Sequence, residues 1–587
     1  MHGILEQTGA EFILRKYKSV IHAALAIEGV SYLVSLTDAL VAGNMINQEA
    51  LIAVGLMSPF QFAALFLSAV INSGTLLNYT RCIGRFDSKR AHETFSHGCI
   101  LALALGTILA IFMLTIRSRF LNGTTVSEAT RGYLEDYFNI IIWYYLLLPL
   151  YTILDNTVMN DGGEKLSSVV NIVQTVGNVL LSILLSKPLG AKGIAIASVL
   201  CQLAAMGMVC IWFISKRSMV RFTLSFPFRN FPCILRDGLG RSVTFAMTAI
   251  MTAIMNFYTV NRFGSDAVTV FVVVKKIMDA SMIFMGLALA LQPFIGTLRG
   301  EKNTKAERQL MQDACRRMLI CGAVASLAAL LFAPLIAAAF GIGSGALAAT
   351  AIRGVRIAGS TLVVRALLML FFVYYFLTDN RVPMFLITVL NDLAAPVTMG
   401  ILGVAVFGSQ EGIWAGIALA PVLSLLVCAG FVRYAYGKDR FPFLLPPRDE
   451  SRIFIYDFML NSENSAAMAE TAGTVLMKYG YPAKTVRLIE LLVEELLMLI
   501  HEKNGGSDRK LSAEFTIILE DVGARIILRD SGIVFDISDA DANIDSFRQY
   551  IVGRALTVPN ARRYITSAGY NRNEFFFTTD RKGGEMK

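Results

Sequence analysis

The first 449 residues of this 587-residue chain contain few charged side chains. They hold 36 of the 53 Lys and Arg residues and 24 of the 44 Asp and Glu residues. Only 17% of the whole chain is charged and 55% is hydrophobic, whereas soluble domains carry about a quarter charged residues. This scarcity argues against a conventional soluble enzyme, a collagen or a disordered protein, and indicates a polytopic membrane protein.

Several other signatures are missing. None of the eight cysteines forms a CxxC pair, which argues against a zinc site or a disulfide framework. No P-loop motif occurs, so primary ATP-driven transport has no support. Residues 1–18 lack the apolar core and cleavage pattern of a signal peptide. The net charge of +12 in residues 1–449 is interpreted as an orientation signal and as contact with anionic lipid, and no nucleic-acid binding is expected.

Long apolar runs dominate the first 449 residues. A helix needs about 20 mostly apolar residues to cross the hydrocarbon core. We predict twelve such spans, at residues 19–42, 50–75, 94–116, 133–158, 166–186, 192–215, 242–262, 267–295, 316–340, 355–378, 383–407 and 412–436. Basic residues concentrate in the connections after spans two, six and eight. The positive-inside rule then predicts that both termini are cytoplasmic.

Short sequence echoes indicate an internal repeat. Residues 49–54 (EALIAV) and 266–271 (DAVTVF) each precede a long apolar run and lie 217 positions apart. Residues 193–197 (GIAIA) are echoed by 412–416 (GIWAG), 219 positions later. An even six helices in each half predicts parallel repeats, with a substrate site between the halves that changes access as one half rocks against the other.

A series of motifs in the first 437 residues resembles one known family. They are residues 38–43 (DALVAG), 50–59 (ALIAVGLMSP), 84–91 (GRFDSKRA), Asp161-Gly162, 263–268 (FGSDAV), and Gln292-Pro293 with Gly296 and Gly300. This order is similar to that of the multidrug and toxic compound extrusion (MATE) family. The resemblance implies a twelve-helix, two-lobed fold. It also implies export of organic, often cationic, compounds in exchange for Na⁺ or H⁺.

Polar residues inside the predicted spans are the candidates for ion coupling, because ionisable groups in a bilayer are costly. Asp38 stands where the family places an acidic coupling residue in the N-lobe, and Asn178 matches a position that supports that network. Aligning the two halves puts Asn256 opposite Asp38. This pairing predicts that coupling resides in the N-lobe.

Arg365 lies deep in a predicted span, so it should pair with a carboxylate or line water. A salt bridge within the C-lobe and contact with substrate remain open alternatives. Lys275 and Lys276 are also unexplained by the repeat. If they face the cavity, they would favour anionic substrates.

Residues 450–587 have a different composition, with 17 basic and 20 acidic residues. The pattern predicts a strand at 453–458, helices at 465–480 and 483–501, and strands at 513–519 and 524–529, which is an α+β order. Two motifs, 488–500 (LIELLVEELLMLI) and 530–536 (DSGIVFD), resemble the GHKL fold of anti-sigma-factor kinases. The resemblance implies nucleotide contacts from Glu494, Asp530, Gly532 and Asp536.

The tail departs from the GHKL pattern at a position that matters for metal binding. Met498 stands where the family has the Asn that anchors Mg²⁺, and a thioether cannot replace an oxygen ligand to a hard cation. We therefore expect nucleotide sensing, or a degenerate regulatory domain, rather than kinase turnover. ATP remains a doubtful ligand, and no metal site is expected.

The predicted fold is an all-α membrane domain of two six-helix lobes followed by a small α+β domain. The predicted segments are 1–18 (cytoplasmic), 19–216 (N-lobe), 217–241 (inter-lobe loop), 242–437 (C-lobe), 438–449 (linker) and 450–587 (GHKL-like domain). The expected function is secondary exchange of a small organic, cationic substrate for H⁺ or Na⁺ across a prokaryotic inner membrane. Two alternatives are a flippase for lipid-linked oligosaccharide, and a non-transporting sensor that signals through the tail to a regulatory protein.

Overall fold

The computed structural model describes residues 6–84, 88–123, 126–160, 163–214, 221–223, 230–438, 450–504, 511–521, 523–533, 561–565 and 570–578. The predicted linker lies outside this part of the chain except for Lys438, and so does most of the predicted inter-lobe loop before residue 230.

Two compact units can be distinguished in the chain. The first, here called the tail unit, combines residues 1–24, 287–317 and 432–587. The second, the helical unit, combines residues 25–286 and 318–431. The tail unit is therefore larger than the predicted domain 450–587, because it also contains the beginning of the chain and the connection between predicted spans eight and nine.

Eighteen α-helices precede the α+β part of the chain among the described residues. They are α1 (Glu11–Val41), α2 (Gln48–Leu56), α3 (Ser58–Gly84), α4 (Ser88–Gly123), α5 (Glu128–Asn160), α6 (Glu164–Leu189), α7 (Ala191–Ile214), α8 (Phe231–Phe263), α9 (Ser265–Asp279), α10 (Ile283–Leu289), α11 (Gln292–Glu301), α12 (Thr304–Leu331), α13 (Ala333–Ala339), α14 (Gly345–Ser360), α15 (Leu362–Leu377), α16 (Arg381–Val389), α17 (Ala395–Phe407) and α18 (Glu411–Tyr436).

Nine helical segments among the described residues are long and apolar enough to cross a membrane, and the pair α14–α15, bent by 42°, would be a tenth. Two predicted spans do not meet this criterion. Span 267–295 is interrupted by a 3₁₀ turn at Ala280–Met282, between α9 and α10. For span 19–42, the apolar segment that can be recognised is the shorter Leu36–Ile46, which joins the end of α1 to a π-helical segment at Ala42–Ile46. The count of twelve spans therefore stays a prediction.

Helix α8 begins inside the predicted inter-lobe loop, and the lobe boundaries themselves stay a prediction. Residues 231–241 were expected in that loop, but they are the first turns of α8, with Pro232 near its N-terminus. Proline suits this position because its missing N–H has no partner in the first turn of a helix. This part of α8 packs tightly on α3: a Cβ at Gly238 would lie 1.9 Å from the Val70 carbonyl oxygen, and one at Gly74 would lie 1.9 Å from that of Ile234. Small residues at such crossings let two backbones approach closely.

The sequence echo between residues 193–197 and 412–416 begins with a glycine in each half, and both glycines lie at close contacts between two helices. Gly193 lies near the start of α7, and a Cβ there would come within 2.1 Å of the Leu185 carbonyl oxygen on α6. Gly412 lies near the start of α18, where a Cβ would come within 2.2 Å of the Gly403 carbonyl oxygen on α17. Each glycine therefore lies where the last two helices of its half approach closely, and the repeat itself stays a prediction.

The α+β part of the tail unit contains a five-stranded antiparallel sheet with the order β1-β2-β3-β5-β4. Its elements are β1 (Ile453–Leu460), α19 (Ser462–Lys478), α20 (Ala483–Lys503), β2 (Leu511–Glu520), β3 (Gly523–Asp530), β4 (Ala561–Ile565) and β5 (Asn571–Thr578). Apolar side chains of α19 and α20 pack with those of β1, β2 and β3 in one buried core. The predicted order of elements is therefore correct up to β3, and residues 561–578 add two further strands.

Candidate functional site

The first candidate site is a cavity in the helical unit that contains Asp38, here called the Asp38 cavity. The Tyr137 hydroxyl donates a hydrogen bond to Asp38 Oδ2 at 2.6 Å, and the Ser198 hydroxyl donates to Oδ1 at 3.4 Å. Helices α1, α5 and α7 each supply one of these side chains, so the site exists only when three separate segments pack together. A π-helical segment, Ala42–Ile46, begins four residues after Asp38, where α1 ends. Such segments are frequent at functional sites.

Asn178 belongs to the same network. Its side-chain amide donates to the Ser198 hydroxyl at 2.9 Å, so Ser198 bridges Asn178 and Asp38. The structure therefore brings together two residues that the sequence analysis placed in one network. Tyr137 and Ser198 are additions that sequence analysis missed, because single hydroxyl side chains in apolar helices give no distinctive pattern.

Lys276 also lines the Asp38 cavity, together with polar and aromatic side chains from several helices: Ser58, Gln61, Tyr144, Tyr145 and Gln174. Lys276 lies on α9, in the second half of the chain, and only 8% of its surface is exposed. Its backbone carbonyl accepts a hydrogen bond from the Tyr32 hydroxyl at 2.8 Å. Both halves of the chain therefore contribute to this cavity, which holds one carboxylate and one ammonium group among its described lining residues.

A second cavity, here called the Arg365 cavity, lies between helices of the second half. Four ionisable side chains line it: Lys275, Asp279, Arg365 and Asp392. Lys275 and Asp279 form an ion pair within α9. Methionine side chains make up much of the apolar lining, at positions 251, 278, 282, 285 and 369. Because methionine is flexible and polarisable, such a wall can adapt to ligands of different shape.

Arg365 lines this cavity, and both sequence alternatives for it stay predictions. Its guanidinium donates a long hydrogen bond of 3.5 Å to the Ile417 carbonyl, and none of the described carboxylates lies within 4 Å of it as an ion pair. Asp392, in the π-helical segment Leu390–Ala394, shares the cavity with it. Arg365 and Asp392, both among the described residues, therefore line one cavity, and no ion pair within 4 Å joins them.

Asn256 does not join either group of side chains. It is 5% exposed on α8, and its Nδ2 atom has no hydrogen-bond partner within the described part of the chain. It does not line the Asp38 cavity or the Arg365 cavity. The predicted correspondence between Asn256 and Asp38 thus has no counterpart in a shared cavity, and its role stays a prediction.

The four residues predicted to contact nucleotide in the tail are only partly brought together. Asp530 Oδ1 accepts hydrogen bonds from the Gly532 backbone N–H at 2.9 Å and from the Asn571 amide at 2.7 Å. Glu494 lies on an exposed face of α20, whereas Gly532 contacts Asn504 at the end of that helix. Ten residues of helix separate these points by about 15 Å. Asp536 lies outside the described residues.

Asp530 is fully buried, and the bonds to its Oδ1 stabilise the turn after β3. Gly532 is needed there for space, because a Cβ would lie 2.5 Å from the Asn504 amide. In the described parts of the chain, no group of three or more His, Cys, Asp or Glu side chains is arranged to hold a metal ion. The nucleotide and metal predictions for the tail remain predictions.

Comparison with known proteins gives a partial family match and a fold for the helical part of the chain. Residues 25–184 match the MatE family model. No curated protein sequence gives a significant match. An inward-facing multidrug resistance MATE family transporter of the MOP superfamily is similar in structure, with a TM-score of 0.64 and 20% identity over 72% of this chain and 98% of the other. An outward-facing structure of such a transporter has a TM-score of 0.58 and 21% identity, over 72% and 95%.

A third similar structure is a MOP superfamily transporter from Pyrococcus furiosus Vc1. It has a TM-score of 0.59 and 20% identity over 72% of this chain and 95% of that one, and is described as having a binding pocket of reverse polarity that suggests a different function. At these identities the likeness establishes the fold. The helical part of the chain therefore has the fold of MATE-family transporters, and residues 25–184 match that family's model.

Proposed function

We propose that the protein is a secondary active exporter of organic compounds that couples transport to proton entry through Asp38. The observation that supports this most directly is the position of that carboxylate. It faces a cavity inside the helical unit, and hydroxyl groups from two other helices hold its two oxygens. A carboxylate placed in this way can bind and release a proton as the cavity opens alternately to the two sides of the membrane.

A proton fits this site better than Na⁺. Asp38 is the one carboxylate among the described residues that line the cavity, and the Lys276 side chain shares that space. A bound Na⁺ would have a single anionic ligand and would be repelled by a nearby ammonium group. A proton needs only the carboxylate itself. We therefore propose H⁺ as the coupling ion.

Reconstituted vesicles test this proposal. Efflux of a cationic dye is measured under H⁺ and Na⁺ gradients imposed separately, with and without nucleotide. We expect flux with the H⁺ gradient and its loss in Asp38→Asn. Asp155→Asn is the matched control, because Asp155 is another carboxylate of the first half whose partners, Ser167 and Asn171, lie outside the cavity. Normal gradient-driven flux in Asp38→Asn would refute the coupling role.

A flippase for anionic, lipid-linked oligosaccharide is the second candidate. Lys276 lines the Asp38 cavity, while Lys275 and Arg365 line the other. These cations favour an anionic substrate. Each cavity therefore contains positive as well as negative side chains, and a purely cationic substrate would not require the positive ones. The transporter from Pyrococcus furiosus Vc1, described as having a pocket of reverse polarity, supports keeping this candidate. Gradient-independent scrambling of labelled lipid carriers by the purified protein would decide for it.

The tail is proposed to regulate transport and not to catalyse a reaction. Its Asp530 is buried in internal hydrogen bonds, and Met498 replaces the expected magnesium ligand. We propose an inner-membrane location with cytoplasmic termini, in agreement with the basic connections of the sequence. An absence of flux under every gradient, together with co-purification of a regulatory protein with the tail, would instead support a sensor.

A further inference from the structure

A buried carboxylate links the turn after α11 to the sheet of the tail unit. Glu301, the last residue of α11, is fully buried, as is Arg529 of β3, and the two form an ion pair. Glu301 Oε1 also lies 2.7 Å from Arg572 Nε of β5. The α11–α12 turn is 228 residues away from β3 along the chain, so only the fold of this unit brings these groups together.

The ion pairs continue into a network. Arg529 also pairs with Glu514 of β2, and Arg572 pairs with Glu574 at 2.9 Å. Lys302, next to Glu301, pairs with Glu520 at 2.8 Å. Together with Arg525, which contacts both Glu520 and Glu574, four carboxylates balance four cations. Burial alone would lower the pKa of the Arg529 guanidinium, but the Glu301 and Glu514 carboxylates hold it well above its ordinary value.

Such a network specifies how these segments fit together. Exposed ion pairs contribute little to stability, whereas buried charges are costly unless every member has its partner. A sheet that buries Arg529 therefore requires the Glu301 carboxylate in place. The described contacts make this an interface of defined geometry and not a loose association.

The beginning of the chain binds the same sheet at β1. The Thr8 backbone N–H donates to the Ile455 carbonyl at 2.8 Å, and the Asp457 backbone N–H donates to the Thr8 hydroxyl at 2.9 Å. Arg15 on α1 makes two hydrogen bonds of 2.8 Å with the Asp457 carboxylate.

One aromatic side chain contacts both docked segments. The Tyr570 ring packs edge-on against Phe12 of α1, with 5.6 Å between ring centroids, and stacks on Phe294 of α11 at 6.3 Å. The sheet therefore holds α1 and α11 at the same time.

We propose that the tail sheet is a docking surface for these two segments of its own chain, and that docking restrains transport. This inference rests on the proposed transport function. In the predicted repeat, α1 belongs to the first half and the α11–α12 turn to the second. Alternating access requires one half to move against the other, so an element that holds both segments must release one of them or resist the motion.

A charge exchange at Arg15 and Asp457 tests the proposal at the docked beginning of the chain and leaves Glu301, Arg529 and Arg572 unsubstituted. The Arg15 side chain is 52% exposed, so Arg15→Asp is compatible with folding, and it places two carboxylates opposite each other. The double variant Arg15→Asp, Asp457→Arg restores opposite charges. Asp313→Asn is the control, because it removes an ion pair with Arg317 that lies within α12.

Two quantities are measured in full-length protein. Hydrogen exchange at the amides of residues 8 and 457 reports docking, and flux in vesicles under an H⁺ gradient reports transport. We expect Arg15→Asp to accelerate exchange at least tenfold and flux at least threefold, and we expect the double variant to return both to the values of the unsubstituted chain. Asp313→Asn should change neither.

Unchanged exchange in Arg15→Asp would overturn the docking assignment. Faster exchange with unchanged or slower flux would overturn the restraint. If the unsubstituted chain shows no flux under any gradient, the proposed transport function fails and the restraint fails with it. The exchange measurements still decide whether the sheet docks these segments.

Discussion

Replacing Glu301 by glutamine tests whether the buried network determines the docking of the tail. The substitution keeps the size of the side chain but removes its charge. Of the carboxylates in the described residues, Glu514 then still pairs with Arg529, and Glu574 still pairs with Arg572. Removing one member of a buried ion pair costs about 3–5 kcal/mol. Because each arginine retains one partner, we expect a destabilisation at the lower end, about 3 kcal/mol.

A loss of about 3 kcal/mol corresponds to roughly a hundredfold increase in the population of the opened state, since about 1.4 kcal/mol is a factor of ten. The β3 amides, such as that of Leu528, should exchange their hydrogens faster by about this factor, if exchange occurs when the α11–α12 turn is released from the sheet. The Asp313→Asn variant provides the comparison, because its ion pair on α12 is not part of the network. An acceleration below about threefold in Glu301→Gln would refute the reasoning.

Two further substitutions test the helical unit. Tyr137→Phe removes the donor that lies 2.6 Å from Asp38; a hydrogen bond to a charged group contributes about 1.5–3 kcal/mol, so proton-driven flux should fall by about ten- to a hundredfold in vesicles. Gly74→Ala places a Cβ 1.9 Å from the Ile234 carbonyl oxygen; overpacking of this kind costs about 1–3 kcal/mol and should lower the thermal stability of the purified protein. Gly240→Ala, where a Cβ meets no atom within 4 Å, should leave the melting temperature almost unchanged, and equal melting temperatures of the two alanine variants would contradict the packing argument.

Much of the fold could be predicted from local patterns. Apolar runs of sufficient length predicted nine of the described spans, and a tenth if the bent pair is counted, because the bilayer thickness sets the length of a crossing helix. The alternation in residues 513–529 predicted β2 and β3, since one face of each strand is buried against α19 and α20. The first turns of α8 escaped prediction because Arg236, Asp237 and Arg241 interrupt the apolar run, and because the packing of this segment depends on Gly74 of a distant helix.

The candidate site was predictable only where a residue is unusual in its surroundings. Asp38 stands out because a carboxylate in an apolar segment is costly, and the family resemblance added Asn178. Tyr137 and Ser198 were missed because tyrosine and serine are common in apolar helices and their hydrogen bonds cross between segments. Lys276 was noticed, but its presence in the Asp38 cavity depends on how the two halves of the helical unit pack.

The sequence by itself determined that this is a membrane protein with a charged tail, because the hydropathy and charge density of a segment do not depend on how the rest of the chain folds. It also marked the isolated ionisable groups, since burying a charge is costly in any fold. Only the tertiary structure decided which of those groups meet. In the sequence, Glu301 resembles any acidic residue near the end of a helix. In the structure it is the centre of a buried network, because β3 and β5 place two guanidinium groups against it. Coulombic pairing between residues more than two hundred positions apart leaves no local trace in a sequence.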